Sequence, residues 1–395
     1  MNLSVLLSPE IQTFIQQNTG MDAKKLALQK NPFPDVDFKI ILNQIEARTK
    51  SKEKLPTWFN AKNIIFPSKI SVEQTSSEIT AQYKSKLISG NNLIDLTGGF
   101  GVDDYYFSQK VKHLVHCEIN DELSEIVQHN FQQLNCTNIK CFSGDSSDFL
   151  TQNTTKFDWI YIDPSRRNDA KGKVFMLKDC LPNVPDLIDF YFNHSDNILI
   201  KTAPILDITA GLSELKNVKE VHIVAIENEV KELLWVIKKE FQNSIAVKTI
   251  NITKSKVCSF DFQYNYKSEP NYSLPQKYLY EPNSAIMKSG GFDAICDQFP
   301  LNKLHKNSHL YTSNECIDFP GRIFEIEQSF DYSKKSMKAF LGQKKANITT
   351  RNFPETVENI RKKWKIKEGG DCYCFFTTNQ NNDKIVLLCT KLNST

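Results

Sequence analysis

The chain has 395 residues, of which 40% are apolar and 24% charged, and its formal net charge is +3. These values are typical of a folded globular protein and exclude a disordered or fibrous chain. At roughly 150 residues per domain, we expect two or three domains. No apolar run approaches the roughly 18 residues of a membrane span, and the start MNLSVLLSPEIQ lacks the basic residues of a signal peptide. We therefore expect a cytoplasmic protein with no membrane partner.

The ten cysteines are scattered along the chain, and no two of them form a C-x-x-C pair. Structural zinc sites commonly use such pairs, so we expect no metal. Because no export signal is evident, reduced and buried thiols are the simplest interpretation of these cysteines.

Residues 1–90 are predicted to form an N-terminal helical region. Ser8 precedes Pro9, which is typical of a helix start, and further helices are expected in MDAKKLALQK and VDFKIILNQIEARTK. The stretch SVEQTSSEITAQYKSKLI opens with Ser71 and Gln74 in a capping-box pattern, which predicts one more helix.

Residues 91–267 alternate short apolar runs with amphipathic segments, a pattern that predicts a parallel α/β sheet. The predicted strands are NLIDL, HLVHCE, IKCFSGD, FDWIYID, NILIKTAP and VHIVAIE. The clearest helix is DELSEIVQHNFQQL, and EVKELLWVIKKEF is predicted as a last helix. The runs AVKTINIT and VCSFDFQYNY are expected to form an antiparallel edge.

The remaining chain is predicted to form two smaller parts. Residues 268–320 combine a proline-rich linker with a small α+β, ferredoxin-like segment, and residues 321–395 form a further small α+β domain. This last part includes the predicted helices SKKSMKAFL and ETVENIRKKW, and the stretches KKAN and RNFP are interpreted as loops. Fourteen Lys and Arg against eight Asp and Glu give residues 321–395 a surplus of six positive charges.

The stretch IDLTGGFGVDD, residues 94–104, predicts a glycine turn between a strand and a helix, where backbone N–H groups approach a ligand. A dinucleotide site needs a small residue where Asp104 stands. Asp103 and Asp104 would also repel a pyrophosphate at the start of the helix. The turn therefore favours S-adenosylmethionine (SAM), which has no phosphate.

Acids follow the predicted strands in a series that fits SAM. Asp95 is expected to pair with the ammonium, Glu118 to accept from the ribose hydroxyls, and Asp145 to meet the adenine amine. The carboxyl ends of parallel strands meet at one edge of a sheet, so these acids are expected to converge. Taken singly, each acid would be a solvated turn residue.

The fourth strand ends in WIYIDPSRR, which makes Asp163 the candidate reaction site. Taken alone, an acid followed by Pro164 would be an ordinary strand-end turn. Lys201 and Pro204 in ILIKTAP are expected on the substrate side of the crevice, although both could be polar strand ends.

Residues 91 to about 245 resemble a class I SAM-dependent methyltransferase, through DLTGGFGVD, Glu118, Asp145 and DPSRR. More narrowly, EQTSSEITAQYK, DLTGGFGVD, DPSRR, KELLW and KKANITTRNFP resemble bacterial methyltransferases with a C-terminal THUMP-like domain. The resemblance covers nearly the whole chain. It implies an α/β fold: a Rossmann-like class I methyltransferase sheet, an N-terminal helical region and a small C-terminal α+β (THUMP-like) domain over residues 321–395.

The resemblance also implies SAM as cofactor and RNA, either tRNA or rRNA, as partner. In the D-P-P-x pattern the acid and the proline carbonyl hold an amine, which would assign those roles to Asp163 and Pro164. Ser165 replaces the second proline, and Arg166 stands where an aromatic residue would stack on the base. Arg can stack on a base or pair with phosphate.

The expected site residues fall into three groups. The catalytic group is Asp163, Pro164, Ser165 and Arg166. The cofactor-binding group is Asp95, Thr97, Gly98, Gly99, Gly101, Glu118, Ile119, Asp145, Ser146 and Asp163. The substrate-binding group is Arg166, Arg167, Lys344, Lys345 and Arg351.

Other functions stay open on the sequence alone. The chain could methylate a protein or a small molecule, in which case the basic tail is a solvated surface. It could also be a non-catalytic protein that binds SAM and RNA. The sequence leaves the oligomeric state undecided.

Overall fold

The computed structural model describes residues 3–67, 69–166, 176–341 and 345–392. Contacts divide the chain into two compact units. The first comprises Met1–Lys219 and Leu234–Gln242, and the second comprises Glu220–Leu233 and Asn243–Thr395. The predicted domain boundaries after residues 90, 267 and 320 stay predictions.

The first unit opens with short helices. They are α1 (Leu3–Leu6), α2 (Pro9–Gln17), α3 (Ala23–Ala27), α4 (Phe38–Lys54), α5 (Pro56–Asn60), α6 (Lys69–Gln74) and α7 (Glu78–Ser85). Ser8 and Pro9 start α2 as predicted. The helix predicted from Ser71 onwards is instead divided into α6 and α7, because Ser77 accepts from the Thr80 N–H and caps a new helix.

The rest of the first unit alternates strands and helices. It contains β1 (Asn92–Asp95), α8 (Val102–Ser108), β2 (His113–Glu118), α9 (Asp121–Gln133), β3 (Ile139–Ser143), α10 (Ser146–Gln152), β4 (Trp159–Ile162), β5 (Ser165–Arg166), β6 (Cys180–Leu181), α11 (Val184–Tyr191), β7 (Asn197–Thr202) and α12 (Ile208–Glu214). A 3-10 helix covers Leu177–Asp179. Neighbouring strands follow the order β7-β4-β1-β2-β3, and all these pairs are parallel. The chain order reverses at β1, which makes its carboxyl end a switch point where ligands bind in such sheets.

The strands β8 (Val218–Ile226) and β9 (Glu229–Lys238) are neighbours in the sheet order. The prediction that residues 229–241 form a helix is wrong. Glu227 and Asn228 both have positive φ, as in a tight hairpin turn, and send the chain back as β9. Six consecutive residues of β9 are buried, a pattern that suits a strand covered on both faces better than an amphipathic helix.

The second unit continues with the strands β10 (Ala246–Ile252) and β11 (Val257–Gln263), whose antiparallel pairing confirms the prediction. Its other elements are β12 (Tyr278–Pro282), α13 (Ser284–Ser289), α14 (Ile295–Gln298), β13 (Asn302–Lys303), β14 (Tyr311–Ser313), β15 (Gly321–Asp331), α15 (Lys334–Phe340), β16 (Asn347–Arg351), α16 (Val357–Trp364), β17 (Cys372–Thr378) and β18 (Lys384–Lys391). Strands of this sheet follow the order β13-β14-β12-β15-β18-β17-β16. The predicted helices in residues 333–364 are confirmed as α15 and α16.

The N-terminal helices share one apolar core with α8 and α9. Trp58 from α5 is fully buried and packs against Phe100, with ring centroids 6.2 Å apart. Ile126, Val127 and Phe131 from α9 belong to the same cluster. The helical region therefore supports the helix that follows the glycine turn. Within the described ranges, no helix is long and apolar enough to cross a membrane.

Candidate functional site

Three of the four predicted acids, Glu118, Asp145 and Asp163, line a cavity of about 770 Å³ at the carboxyl ends of the strands in the first unit. This volume suits a small-molecule or cofactor site. Its walls come from the loops after these strands and from residues 181–187. They are Leu96, Thr97, Cys117, Glu118, Ile119, Gly144, Asp145, Ser146, Ser147, Asp163, Ser165, Leu181, Pro182, Asn183, Asp186 and Leu187.

The N–H groups of the three glycines in the turn are already hydrogen-bonded within the protein. Gly98 donates to the carbonyl of Cys117 at 2.8 Å, and Gly101 donates to the carbonyl of Gly98 at 3.0 Å. Gly99 donates to the carboxylate of Glu118 at 3.0 Å. A dinucleotide turn needs such N–H groups for its pyrophosphate. In this turn the glycine N–H groups instead stabilise the turn itself and bind the carboxylate of Glu118.

Glu118 is fixed from two sides at the end of β2. Its Oε2 accepts from the Gly99 N–H, and its Oε1 accepts from the Asn120 N–H at 2.8 Å. Each carboxylate oxygen has a second lone pair. Glu118 also lines the cavity, so it can accept hydrogen bonds from a ligand without moving.

Asp145 and the exposed Ile119 line the same cavity. Asp145 caps α10 by accepting from the Ser147 N–H at 2.7 Å. Ser146 follows it in the cavity wall. An acid and an apolar side chain at the ends of neighbouring strands can hold the amine and the flat face of an aromatic base, respectively.

Gly98 and Gly99 are required for different reasons. A Cβ on Gly98 would lie 2.1 Å from Cε1 of His116, so the imidazole ring excludes any side chain there. Gly99 has open space around it but a φ of +55°, which favours glycine. Gly101 combines a φ of +74° with the ring of Phe131 2.5 Å from a Cβ position.

The His116 ring that packs on Gly98 belongs to a buried pair. Its Nδ1 lies 2.6 Å from Oδ2 of Asp104, and both side chains are fully buried. Burial lowers the pKa of His116, and burial with Asp103 nearby raises the pKa of Asp104 well above its usual value. Both shifts have the same physical cause, because burial opposes the charged form of each group.

Asp95 lies behind the turn. Its Oδ1 accepts from the N–H of Thr97 at 2.7 Å and from the Thr97 hydroxyl at 3.1 Å. Only 1% of the residue is exposed, and burial, with Asp104 close by, raises the pKa of its carboxyl well above the usual value. The structure thus gives Asp95 the role of holding the turn. Its predicted contact with an ammonium stays a prediction.

The first turn of α8 is bound to the N-terminal helices through Asp103. The ammonium of Lys84 lies 3.1 Å from Asp103 Oδ1, while Ser76 and Tyr161 donate to Oδ2 at 2.9 and 2.7 Å. Lys84 also donates to Ser76 at 2.8 Å. The stretch EQTSSEITAQYK therefore stabilises the helix that begins at the glycine turn.

Asp163 stands at the end of β4 and lines the cavity. Its Oδ2 lies 2.7 Å from the ammonium of Lys201 on β7, and its N–H donates to the Thr97 hydroxyl at 2.7 Å. A third of the Asp163 side chain is exposed, against 15% for Lys201. The pair can present an oriented acceptor to a second substrate.

The other residues of the DPSRR motif have different environments. Pro164 is buried, whereas Ser165 is exposed and lines the cavity. The backbone of Arg166 pairs with Cys180 in the small ladder of β5 and β6. The side chain of Arg166 and the whole of Arg167 lie outside the described residues, so both contacts stay predictions.

The sequence did not indicate the wall formed by residues 181–187. Leu181 and Leu187 give this wall apolar side chains, and Asn183 donates to Asp186 at 2.8 Å. The side-chain oxygen Oδ1 of Asn183 is buried and has no hydrogen-bond partner among the described residues. Apolar and turn residues of this kind form no distinctive motif, which is why sequence patterns alone did not reveal this wall.

The predicted basic residues of the second unit are placed unequally. Lys345 is exposed, and Lys344 lies outside the described residues. Arg351 on β16 donates to Oε1 of Glu281 at 2.9 Å, and Arg322 on β15 donates to Oε2 through Nε at 2.6 Å and through Nη2. The Glu281 side chain is 4% exposed, while those of Arg322 and Arg351 are 38% and 31% exposed.

Three family profiles match parts of the sequence. They describe conserved hypothetical protein 95 over residues 54–178, a ferredoxin-like domain over residues 278–320 and a THUMP domain-like region over residues 321–391. A crystal structure of a proposed methyltransferase from Porphyromonas gingivalis W83 is similar over 99% of both chains, at 30% identity and a TM-score of 0.86. The chain belongs to this family of methyltransferases with a C-terminal THUMP-like domain. The predicted fold class is thereby confirmed.

Smaller methyltransferases match only part of this family member. A proposed methyltransferase from Escherichia coli is 17% identical over 41% of this chain and 85% of its own, with a TM-score of 0.30. An rRNA methylase from Streptococcus thermophilus is 11% identical over 40% of this chain and 94% of its own, also at 0.30. Similarity at this level decides nothing about activity. No curated protein sequence matches the chain.

Within the described ranges, no group of three or more His, Cys, Asp or Glu side chains is placed to hold a metal ion. The cavity acids are instead bound by backbone N–H groups and by Lys201.

Proposed function

We propose that the protein is a SAM-dependent methyltransferase whose substrate is a base of tRNA or rRNA. The cofactor assignment depends on the hydrogen bonds that the glycine turn makes. The N–H groups of Gly98, Gly99 and Gly101 bind protein acceptors, one of them the Glu118 carboxylate, and the nearby cavity is lined by acids. Such a site repels a phosphate and favours a cationic ligand rich in hydroxyl groups.

SAM fits this donor and acceptor set. Glu118 would accept from the ribose hydroxyls, because its carboxylate is already aimed by Gly99 and Asn120. Asp145 would meet the adenine amine, and Ile119 would cover one face of the base. When bound, SAM supplies a methyl group on a sulfonium, which a nucleophile can attack without a metal.

Asp163 is the proposed catalytic residue. Its carboxylate would accept a hydrogen bond from the amine that receives the methyl group, with the Pro164 carbonyl as a second acceptor. The ammonium of Lys201 fixes one carboxylate oxygen at 2.7 Å, so the other can be aimed into the cavity. Catalysis would then consist largely of orientation, together with acceptance of the proton that the methylated amine loses.

RNA is proposed from the second unit. The THUMP domain-like match covers residues 321–391, and residues 321–395 carry six surplus positive charges. Arg322 and Arg351 both pair with the carboxylate of Glu281, and both guanidinium side chains stay partly exposed. Guanidinium groups held in this way are suited to phosphate. We therefore include Arg322 with the predicted Arg351 as an RNA-binding residue.

Calorimetry tests the cofactor. We expect titration with SAM to show binding and titration with NAD to show none. Absence of SAM binding would remove the cofactor assignment and leave at most an RNA-binding protein.

Methyl transfer tests the substrate. Radiolabelled SAM is supplied with total RNA, small RNA or protein from cells that lack this protein, and we expect label in RNA. Label in protein alone would contradict the RNA proposal. Mass spectrometry of tRNA and rRNA nucleosides from cells with and without the protein would then identify the base and the atom.

A further inference from the structure

We propose that Thr97 is a positioning residue that connects the cofactor turn to the reaction acid. The inference rests on the proposed function, because it assigns the reaction to Asp163. Thr97 lies between Leu96, which follows β1, and the first glycine of the turn. The sequence predicted only a contact with the cofactor, whereas the structure shows three hydrogen bonds to protein groups around this residue.

The Thr97 hydroxyl is engaged on both sides. It donates to Oδ1 of Asp95 at 3.1 Å and accepts from the backbone N–H of Asp163 at 2.7 Å. A hydroxyl has a single hydrogen to donate, so the bond to Asp95 orients its lone pairs. The buried carboxyl of Asp95 thus aims the Thr97 oxygen at the Asp163 N–H.

The hydrogen bond from the Asp163 N–H to the Thr97 hydroxyl takes the place of a backbone hydrogen bond of the sheet. The parallel pairing of β4 with β1 ends at Tyr161, and its pairing with β7 ends at Ile162. The N–H of Asp163 comes directly after the last ladder position, and its partner in the protein is the Thr97 side chain. A half-buried N–H without a partner would be unfavourable, so the contact fixes where the strand end lies.

Asp163 is consequently held at two points. Its backbone is bound by Thr97 and its carboxylate by Lys201, both at 2.7 Å. A displacement of about 1 Å in a positioned reacting group can lower a rate by about 100-fold. We expect loss of the Thr97 contact to let the acid move while the ribose-facing Glu118 stays bound to Gly99 and Asn120.

Thr97→Val and Thr97→Ser provide the test. Valine keeps the size and branching of the side chain but removes the hydroxyl, whereas serine keeps the hydroxyl. With RNA from cells that lack the protein as acceptor, we expect Thr97→Val to lower kcat by about 10- to 100-fold. The dissociation constant for SAM should stay within about threefold of wild type by calorimetry, and Thr97→Ser should restore kcat to within about threefold.

The kinetic result decides between positioning and plain structural support. If Thr97→Val weakens SAM binding as much as it lowers kcat, or if serine fails to restore turnover, Thr97 acts as a cofactor contact or a structural residue of the turn, and the proposal is wrong. Thermal unfolding of both variants shows whether the fold is retained.

A crystal structure of Thr97→Val gives a readout that needs no acceptor. We expect the Asp163 backbone to shift and the separation of its carboxylate from the Lys201 ammonium to exceed 4 Å. An unchanged separation near 2.7 Å would overturn the inference, even if the wild-type protein proved not to methylate RNA. Conversely, a shifted Asp163 together with no label in any RNA would support the positioning role of Thr97 and contradict the proposed substrate.

Discussion

The two units use charge in opposite ways. In the first unit, backbone N–H groups fix the carboxylates of Glu118 and Asp145, which face a cavity. In the second unit, the buried carboxylate of Glu281 fixes the guanidinium groups of Arg322 and Arg351, which are partly exposed. In both cases two ionic side chains are held in place by neighbouring groups of the protein.

This difference is the basis for the ligands that we propose for each unit. Fixed acids around a cavity select a compact ligand with cationic and hydroxyl groups, which fits a methyl donor. Fixed guanidinium groups on an open surface select phosphate, and the affinity they supply does not depend on sequence. Variants in each unit should therefore have separable effects, on cofactor and chemistry in the first and on RNA in the second.

Asp163→Ala should have the largest effect. Because the carboxylate is the proposed acceptor for the reacting amine, we expect methyl transfer to fall by at least about 10³-fold. The affinity for SAM should stay within about threefold by calorimetry, since Glu118 and Asp145 are untouched. Asp163→Asn is the matched control, because it keeps the shape and removes the charge.

The outcome for Asp163 bears directly on the division of roles. If Asp163→Ala loses SAM affinity as strongly as activity, Asp163 is a cofactor or structural residue. A full loss of transfer with retained SAM binding in both variants would support the proposed catalytic role.

Gly98→Ala and Gly99→Ala test how rigidly the turn is held. At Gly98 the new methyl group would overlap the His116 ring, and we expect a cost of about 3 kcal/mol in the free energy of unfolding. At Gly99 the space is open and only the positive φ opposes a side chain, so about 1 kcal/mol is expected. Urea denaturation of both variants measures the difference. Equal costs would mean that His116 moves aside and does not fix the turn.

The sequence predicted the positions of the acids because strand order places strand ends together. Glu118, Asp145 and Asp163 each follow an apolar strand, and the structure brings all three to one cavity. The sequence could not show that Asp163 pairs with Lys201, or that Asp95 is buried behind the turn. Those facts depend on side-chain direction and on the depth of packing, which a strand pattern does not contain.

The errors in the fold have a similar origin. Residues 229–238 were predicted as part of a helix, but they form a strand that is buried over six residues and follows the positive-φ residues Glu227 and Asn228. Residues 347–351 form β16, with all five residues half-buried, so the loop interpretation is wrong for Asn347 of KKAN and Arg351 of RNFP. In both places pairing with neighbouring strands outweighs local propensity.

Glu118→Ala should affect the cofactor more than the fold. The carboxylate would accept from the ribose, and hydrogen bonds to charged groups contribute about 1.5–3 kcal/mol, so we expect SAM affinity to fall by roughly 10- to 100-fold. Glu118→Gln keeps one acceptor oxygen, so we expect its SAM affinity to fall by less than that of Glu118→Ala. Calorimetry measures both variants, and saturating SAM should recover much of the turnover. A Glu118→Ala variant with unchanged SAM affinity would contradict the ribose assignment.

The double variant Arg322→Gln/Arg351→Gln should have the smallest effect and should leave the cavity untouched. Each arginine is proposed to neutralise one phosphate. Loss of both should therefore reduce the slope of log affinity against log salt by about 1–2 and weaken RNA binding by a few-fold near physiological salt. Fluorescence anisotropy with a labelled tRNA fraction measures the slope, and SAM affinity should not change.

Lys363→Gln is the matched control, because Lys363 is also paired with a carboxylate in this unit, that of Glu355 at 2.9 Å. An unchanged slope in the double variant, with wild-type binding intact, would mean that the two arginines only stabilise Glu281. The RNA contact would then have to be sought at Lys345 and the other basic residues of the THUMP-like domain.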